Sequence, residues 1–345
     1  MKDTHDVFLT GRHAAAFLLS GIVKEFDDPF EASLPSDANY MAFREGCIDF
    51  SSVPLANTAP YISKADALAV AELVGVGLPL EVAVANDETR RCSRRLHCRT
   101  HPASAPQGYY FQAADELYCA APELTLLVCA RQLADVELLV LACLFVSIFT
   151  HDLSSQQKLA PRRKLTNVVR IERFIDQCGT SCTKRPPALQ RLQRLMPYVV
   201  EDAASPKEIE CALRFGLARD VGGCGFGMPL MNVPIKITGT TRVRYPDLYW
   251  SKEGVAVDYD SKQEHSNSDA LENDALHAND LAAAHVQRYV LTSGQLNSML
   301  LFNRVANQLA YDMDGAEKIP NNRSLHATQN CLAQDIRNAF KKFGY

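Results

Sequence analysis

Residues 242–265, RVRYPDLYWSKEGVAVDYDSKQEH, limit what this chain can fold into more than any other stretch. Two short runs rich in Tyr, Val and Trp flank Ser251-Lys252-Glu253-Gly254, a polar tetrapeptide ending in Gly, and the pattern reads as a β-hairpin. The first run ends in Pro246-Asp247. The second carries Asp258 and Asp260, which the two-residue period of a strand places on one face. Three carboxylates gathered at one end of a hairpin repel one another, and folding gains nothing from that. A divalent cation resolves the conflict, because hard Mg²⁺ (or Mn²⁺) takes carboxylate oxygens and keeps waters for chemistry. The competing reading leaves the aspartates as polar turn residues on a solvated edge.

The order Pro-Asp, ten residues, then Asp-x-Asp on an apolar strand resembles the core of the PD-(D/E)xK nucleases. In members related to the very-short-patch repair endonucleases, an acid-x-Asp strand is followed by a histidine, and here Asp258-Tyr259-Asp260 is followed by His265. The run Asp269 to Leu281, with Asp274 and Asp280, resembles their next helix. Arg288-Tyr-Val-Leu-Thr292 resembles the next core strand, with Gly294 closing it. The resemblance covers about residues 200 to 300. It implies an α/β fold with a restriction-endonuclease-like mixed sheet flanked by helices, and metal-dependent hydrolysis of DNA.

The same resemblance implies roles for single residues. Asp247 and Asp258 would bind Mg²⁺, with Asp260 supporting them. His265 would act as general acid or base or orient a water, since its unperturbed pKa lies at about 6.5. These nucleases place a metal- or water-holding glutamate on their first helix, where Glu208 stands. Ser205, Pro206 and Glu208 also form a capping box, so both readings ask for Glu there. Two departures stand out. Asp260 occupies the place of the signature lysine, with Lys262 two residues on as the same-face substitute, and Asp258 stands where Glu is common. They make a non-cleaving, nucleic-acid-binding or antitoxin-like regulator the alternative, and a protein-binding scaffold the third reading.

A chain of 345 residues can bury a sizeable core and suggests two domains. The net charge of −4 argues against coating nucleic acid by bulk electrostatics but leaves room for a local basic patch. Eleven cysteines, with no signal peptide apparent, suit free thiols in a reducing cytoplasm. The most apolar run, Leu138 to Phe149, is too short for the roughly 20 residues of a membrane span and reads as a buried helix.

The pattern predicts an α+β domain over 1–151, a helical linker over 152–199, the nuclease-like domain over 200–311 and a helical tail over 312–345. In the first part, Ser63 caps an Ala-rich helix that Gly75 stops, and Leu80 to Ala85 reads as a strand. Thr10-Gly-Arg-His-Ala-Ala15 and Leu117-Tyr-Cys-Ala-Ala-Pro-Glu-Leu-Thr-Leu-Leu127 resemble the effector part of AbiE-type abortive-infection antitoxins. That resemblance implies a protein partner for this half.

Between Arg90 and His101 the sequence is RRCSRRLHCRTH. Arg90, Arg91, Arg94, Arg95 and Arg99 read as a phosphate-contacting patch for DNA, or as a solvated basic loop. Cys92, His97, Cys98 and His101 match no usual zinc spacing. A helix over Val168 to Gln177 is expected to end at Gly179; Cys178 and Cys182 would face each other only if it continued. Arg219 to Asn232 is glycine-rich without a dinucleotide or P-loop spacing and reads as a flexible loop. Val233 to Ile237 then begins the sheet, and Leu296 to Tyr311 forms a late core helix.

Overall fold

The computed structural model describes residues 6–20, 46–57, 59–151, 159–260, 268–313, 319–320 and 322–345. It has the α/β character expected, with helices packed on mixed sheets. The chain forms two compact units, divided between Val199 and Val200, with Ala339–Tyr345 counted in the first. The two helices anticipated as a linker belong to the first unit, and most of the anticipated tail belongs to the second. Among the described residues, no helix is long and apolar enough to cross a membrane.

The first unit is built on a five-stranded sheet of order β3-β2-β1-β5-β4. Strand β1 (Val7–Leu9) is buried throughout and leads into α1 (Gly11–Leu19). It pairs antiparallel with β2 (Leu80–Val84) and parallel with β5 (Leu117–Ala120). Between β1 and β2 lies α2 (Lys64–Val74), where the Ser63 hydroxyl accepts from Asp66 N at 3.1 Å and Gly75 supplies a left-handed stop. β3 (Leu96–Thr100) runs parallel to β2 at one edge, and β4 (Tyr110–Ala114) antiparallel to β5 at the other. A sheet centre covered on both faces asks for apolar runs, which β1 supplies; β2 is buried throughout but carries Glu81, which is paired with Arg99.

Helix α3 (Pro122–Cys129) starts on proline at its first position, and α4 (Asp135–Phe145) is buried on every side from Leu138 onward. A helix apolar all round belongs inside a core, as the sequence predicted. A short ribbon, β6 (Phe149–His151) with β7 (Leu159–Pro161), follows. Helix α5 (Val168–Thr180) runs through Gly179 instead of ending there. A side chain at that position would sit 3.0 Å from the Arg185 guanidinium, so the glycine makes room for packing and does not cap the helix. Helix α6 (Pro187–Leu195) buries Leu189, Leu192 and Leu195 on the expected face.

The second unit opens with α7 (Pro206–Gly216) and contains a four-stranded sheet of order β13-β12-β11-β8. β8 (Leu230–Met231), β11 (Leu248–Trp250) and β12 (Val255–Asp260) are antiparallel neighbours. Helix α8 (Ser268–Ala283) then carries the chain to β13 (Gln287–Thr292), parallel to β12. The hairpin and its turn at 251–254 lie where the sequence placed them. Three details differ. Pro246-Asp247 precedes strand β11 and does not close it, since a proline without an N–H cannot continue a ladder. The segment expected to begin the sheet instead forms a separate ribbon, β9 (Ile235–Lys236) with β10 (Val243–Arg244). That ribbon is held by Arg242 (3.1 Å) and Arg244 (2.6 Å) to the buried Asp280 of α8.

The glycine-rich segment is the third. Cys224 N, Gly225 N and Phe226 N donate to the carbonyls of Arg214, Leu217 and Phe215, folding the loop back on the end of α7. A Cβ at Gly223 would stand 1.9 Å from the Leu217 carbonyl oxygen, so contact and not flexibility explains the glycine there.

Gly294 lies in a helix, α9 (Ser293–Asn297), and the late core helix is α10 (Met299–Asp312); α11 (Arg323–Lys342) follows. Phe215 stacks on Phe302 (4.7 Å) and meets Trp250 edge-on (6.2 Å), while the Trp250 indole donates to Gly227 O at 2.9 Å. Beneath the sheet, Ala256, Leu281 and Val286 form a small buried cluster that seats α8 against β12 and β13.

Candidate functional site

The hairpin brings Asp247 and Asp258 together one step beyond the pair Leu248↔Val257. Where the strands part at Pro246, their side chains replace ladder bonds. Asp247 N donates to Asp258 Oδ1 (3.2 Å), and Tyr259 N donates to Asp247 Oδ2 (2.7 Å). Both acids are partly exposed, and Asp260 lies at the exposed end of β12 opposite Thr292. Lys262 and His265 fall outside the described residues.

Glu208, on α7, is buried, and its oxygens accept from Ala204 N (2.8 Å), Ser205 Oγ (2.8 Å) and Asn232 Nδ2 (2.8 Å). Those bonds use the capping reading of this residue and fix it in place. They also tie it to the acid pair, because Asn232, in a left-handed conformation, donates its own N–H to Asp247 O at 3.2 Å. Burial pushes the Asp247 carboxyl up to about 8, with the charges of Glu208 and Asp258 adding to the rise and the Tyr259 amide and Arg288 opposing it. Glu208 is raised too, first by burial and then by Asp258, against its three hydrogen bonds.

Three further residues complete the cluster. Arg288, at the start of β13, places Nε 2.5 Å from Asp258 Oδ2 and Nη2 2.8 Å from Asp274 Oδ1 of α8. Against partial burial, those two carboxylates hold the guanidinium above its ordinary pKa. His277, one helical turn after Asp274, has Nε2 buried without a hydrogen bond, 3.9 Å from Asp258 Oδ2. Burial lowers its pKa against the pull of Asp258, so the ring is neutral near pH 7. Asp274 and His277 carried a sequence signal, their i, i+3 spacing on one helix face. Arg288 was visible only as the first residue of a strand.

Among the described residues, no three His, Cys, Asp or Glu side chains are grouped as a metal's ligand set. The donor chemistry is nevertheless that of a hard divalent cation. Asp247 and Asp258 offer carboxylate oxygens at one strand end, Asp247 holds a proton there that a cation would displace, and the His277 nitrogen beside Asp258 lacks a partner. Glu208 contributes its charge and its hold on Asn232, since its own oxygens are occupied.

The arginine-rich stretch behaves less uniformly than its sequence suggested. Arg90, Arg91 and Arg94 are exposed. Arg95 donates to Ile62 O (2.9 Å) and lies over the Tyr61 ring, and Arg99 pairs with the buried Glu81 (2.8 Å). Arg95 is thus committed to the fold, and so is one end of the Arg99 guanidinium. His101 is buried between the Tyr110 hydroxyl (3.1 Å) and Ala105 O (3.2 Å). In the segment Leu117 to Leu127, Glu123 is buried against Thr166, and burial raises its pKa.

No family model matches the chain, and neither a curated protein nor a solved structure gives a significant match.

Proposed function

We propose that the second unit is a PD-(D/E)xK-like nuclease domain and that the protein is a metal-dependent DNA endonuclease. The order of elements supports this reading: a helix carrying Glu208, three antiparallel strands, a helix, and a fourth strand parallel to the third. The observation that carries it is the cross-tied pair Asp247 and Asp258 at the mouth of the hairpin, with buried Glu208 charging the same spot.

In this reading Asp247 and Asp258 hold Mg²⁺ or Mn²⁺, whose chemistry is to polarise a phosphoryl oxygen and lower the pKa of a bound water. With a cation held there, Asp247 would serve as a carboxylate, without the proton that burial favours in the metal-free protein. Arg288 orients the Asp258 carboxylate and places positive charge beside the scissile phosphate, a part the missing lysine would otherwise play. His277, neutral and unpartnered, accepts or relays a proton. Asp260, Lys262 and His265 keep the supporting roles that the resemblance gives them.

A second reading rests on Arg288 itself. With a guanidinium 2.5 Å from Asp258, the acid already has a countercharge, as in a degenerate domain that binds nucleic acid without cutting it. Nicking of supercoiled plasmid in Mg²⁺ or Mn²⁺, compared between wild type and Asp258→Ala, separates the two. We expect cleavage that needs the metal and falls in the variant by more than the roughly 100-fold cost of losing an outer-shell partner. Plasmid binding without nicking in either protein supports the degenerate domain.

A further inference from the structure

The first unit contains a cavity of about 220 Å³, lined by Arg90, Arg99 and Arg131 together with Thr10, His97 and Thr100. His97 and Arg99 alternate along β3 and share one face of the sheet, His101 follows its end, and Cys98 and Thr100 complete this part of the lining. Arg90 comes from the loop before β3, and Arg131 from the turn after α3. None of the described lining residues is acidic. The nearby countercharge, Glu81, is occupied: it takes Arg99 at 2.8 Å and the backbone N–H of Arg12 at 3.0 Å. Three arginines therefore line one cavity, and the nearby buried carboxylate is already engaged.

One further observation points to a missing partner. Arg99 Nε is buried and makes no hydrogen bond, although the other end of the same guanidinium is paired. An unmet buried donor costs about 1–3 kcal/mol, so a folded protein keeps one where a ligand meets it.

We propose that this cavity binds a terminal phosphate monoester. Guanidinium groups recognise phosphate oxygens by paired hydrogen bonds, and a monoester brings close to two negative charges against the one of an internucleotide phosphate. Size selects in the same direction. A volume of 220 Å³ lies below the roughly 300–1,000 Å³ of sites that enclose a whole small molecule, so the cavity takes a headgroup end-on. The monoester is either a mononucleotide or the 5′ end of a nucleic acid strand.

The test is fluorescence anisotropy and calorimetry on the full chain in EDTA, which keeps it independent of any cleavage. Probes are a 5′-phosphorylated single strand, the same strand with a 5′-hydroxyl, adenosine 5′-monophosphate and adenosine. Variants are Arg131→Gln and Arg90→Gln, both exposed, which leaves the Arg99–Glu81 pair intact. We expect phosphorylated probes to bind at least tenfold more tightly than their hydroxyl counterparts, and either variant to erase most of that difference while the melting temperature holds. Binding of the mononucleotide identifies a free nucleotide as the source. Binding of the phosphorylated strand alone identifies a nucleic acid end. Equal affinity for phosphate and hydroxyl forms, no binding of either, or variants that bind as wild type would overturn the proposal.

Discussion

At Asp247 the cost of the candidate site is concentrated in one side chain. Its carboxyl is raised from an ordinary 3.8 to about 8 by burial and by Glu208 and Asp258, so the folded metal-free protein holds a proton that the unfolded chain releases. That contribution is complete below about pH 4 and is lost as pH rises through 8, and Glu208, raised in the same direction, adds to it. Urea unfolding in EDTA is therefore expected to show stability falling between pH 5 and 8, by at most about 1.4 kcal/mol per pH unit for one group. Asp247→Asn should flatten that profile; an unchanged slope would remove the acid pair as its cause. The pairing of Asp247 with Asp258 was legible in the sequence because a hairpin turn suffices to gather them. Arg288 was not, since its place beside Asp258 depends on the register of a parallel strand 30 residues away.

The elements that the sequence announced best were those with local causes. The capped helix at Ser63, the apolar helix before Phe149 and the hairpin turn each follow from a few adjacent residues. Those it misread are less local: Gly179 lies within a helix that runs on to Thr180, and the glycine-rich loop closes on the end of α7. The hairpin turn offers a direct check. Gly254 sits at φ +66°, and a Cβ there would stand 3.1 Å from the His285 carbonyl, whereas Gly75 has the same φ with open space around it. Gly75→Ala should cost about 1 kcal/mol from backbone strain alone. Gly254→Ala should cost more, since it also pushes the turn off the end of α8. Equal shifts in thermal denaturation would mean that the turn adjusts freely.

On the scale of the whole chain, all eleven cysteines are free, and burial sorts them. Cys92 and Cys331 are exposed, Cys47 and Cys182 intermediate, and the remaining seven buried; burial pushes Cys129 and Cys224 up to about 12 and raises Cys119 and Cys211 well above the ordinary thiol value. A thiol reagent at pH 8 should label Cys92 and Cys331 at once and the buried seven only when denaturant is added. Rapid labelling of more than four thiols in the native protein would contradict the packing of both units. Of this layout, the two-domain scale was legible from length alone. The assignment of α5 and α6 to the first unit was not, because their buried faces find partners only in the folded sheet-and-helix core.

One residue bears on how all of this can be watched. The chain has a single tryptophan, Trp250, buried in the second unit between Phe215 and the Gly227 carbonyl, three positions beyond Asp247 on the same strand. Indole emission from the entire protein thus originates at one point, beside the acid pair. Light absorbed at the red edge of the spectrum interrogates the second unit alone, whereas circular dichroism sums both, and the protein carries its own optical label for the strand on which the candidate site is built.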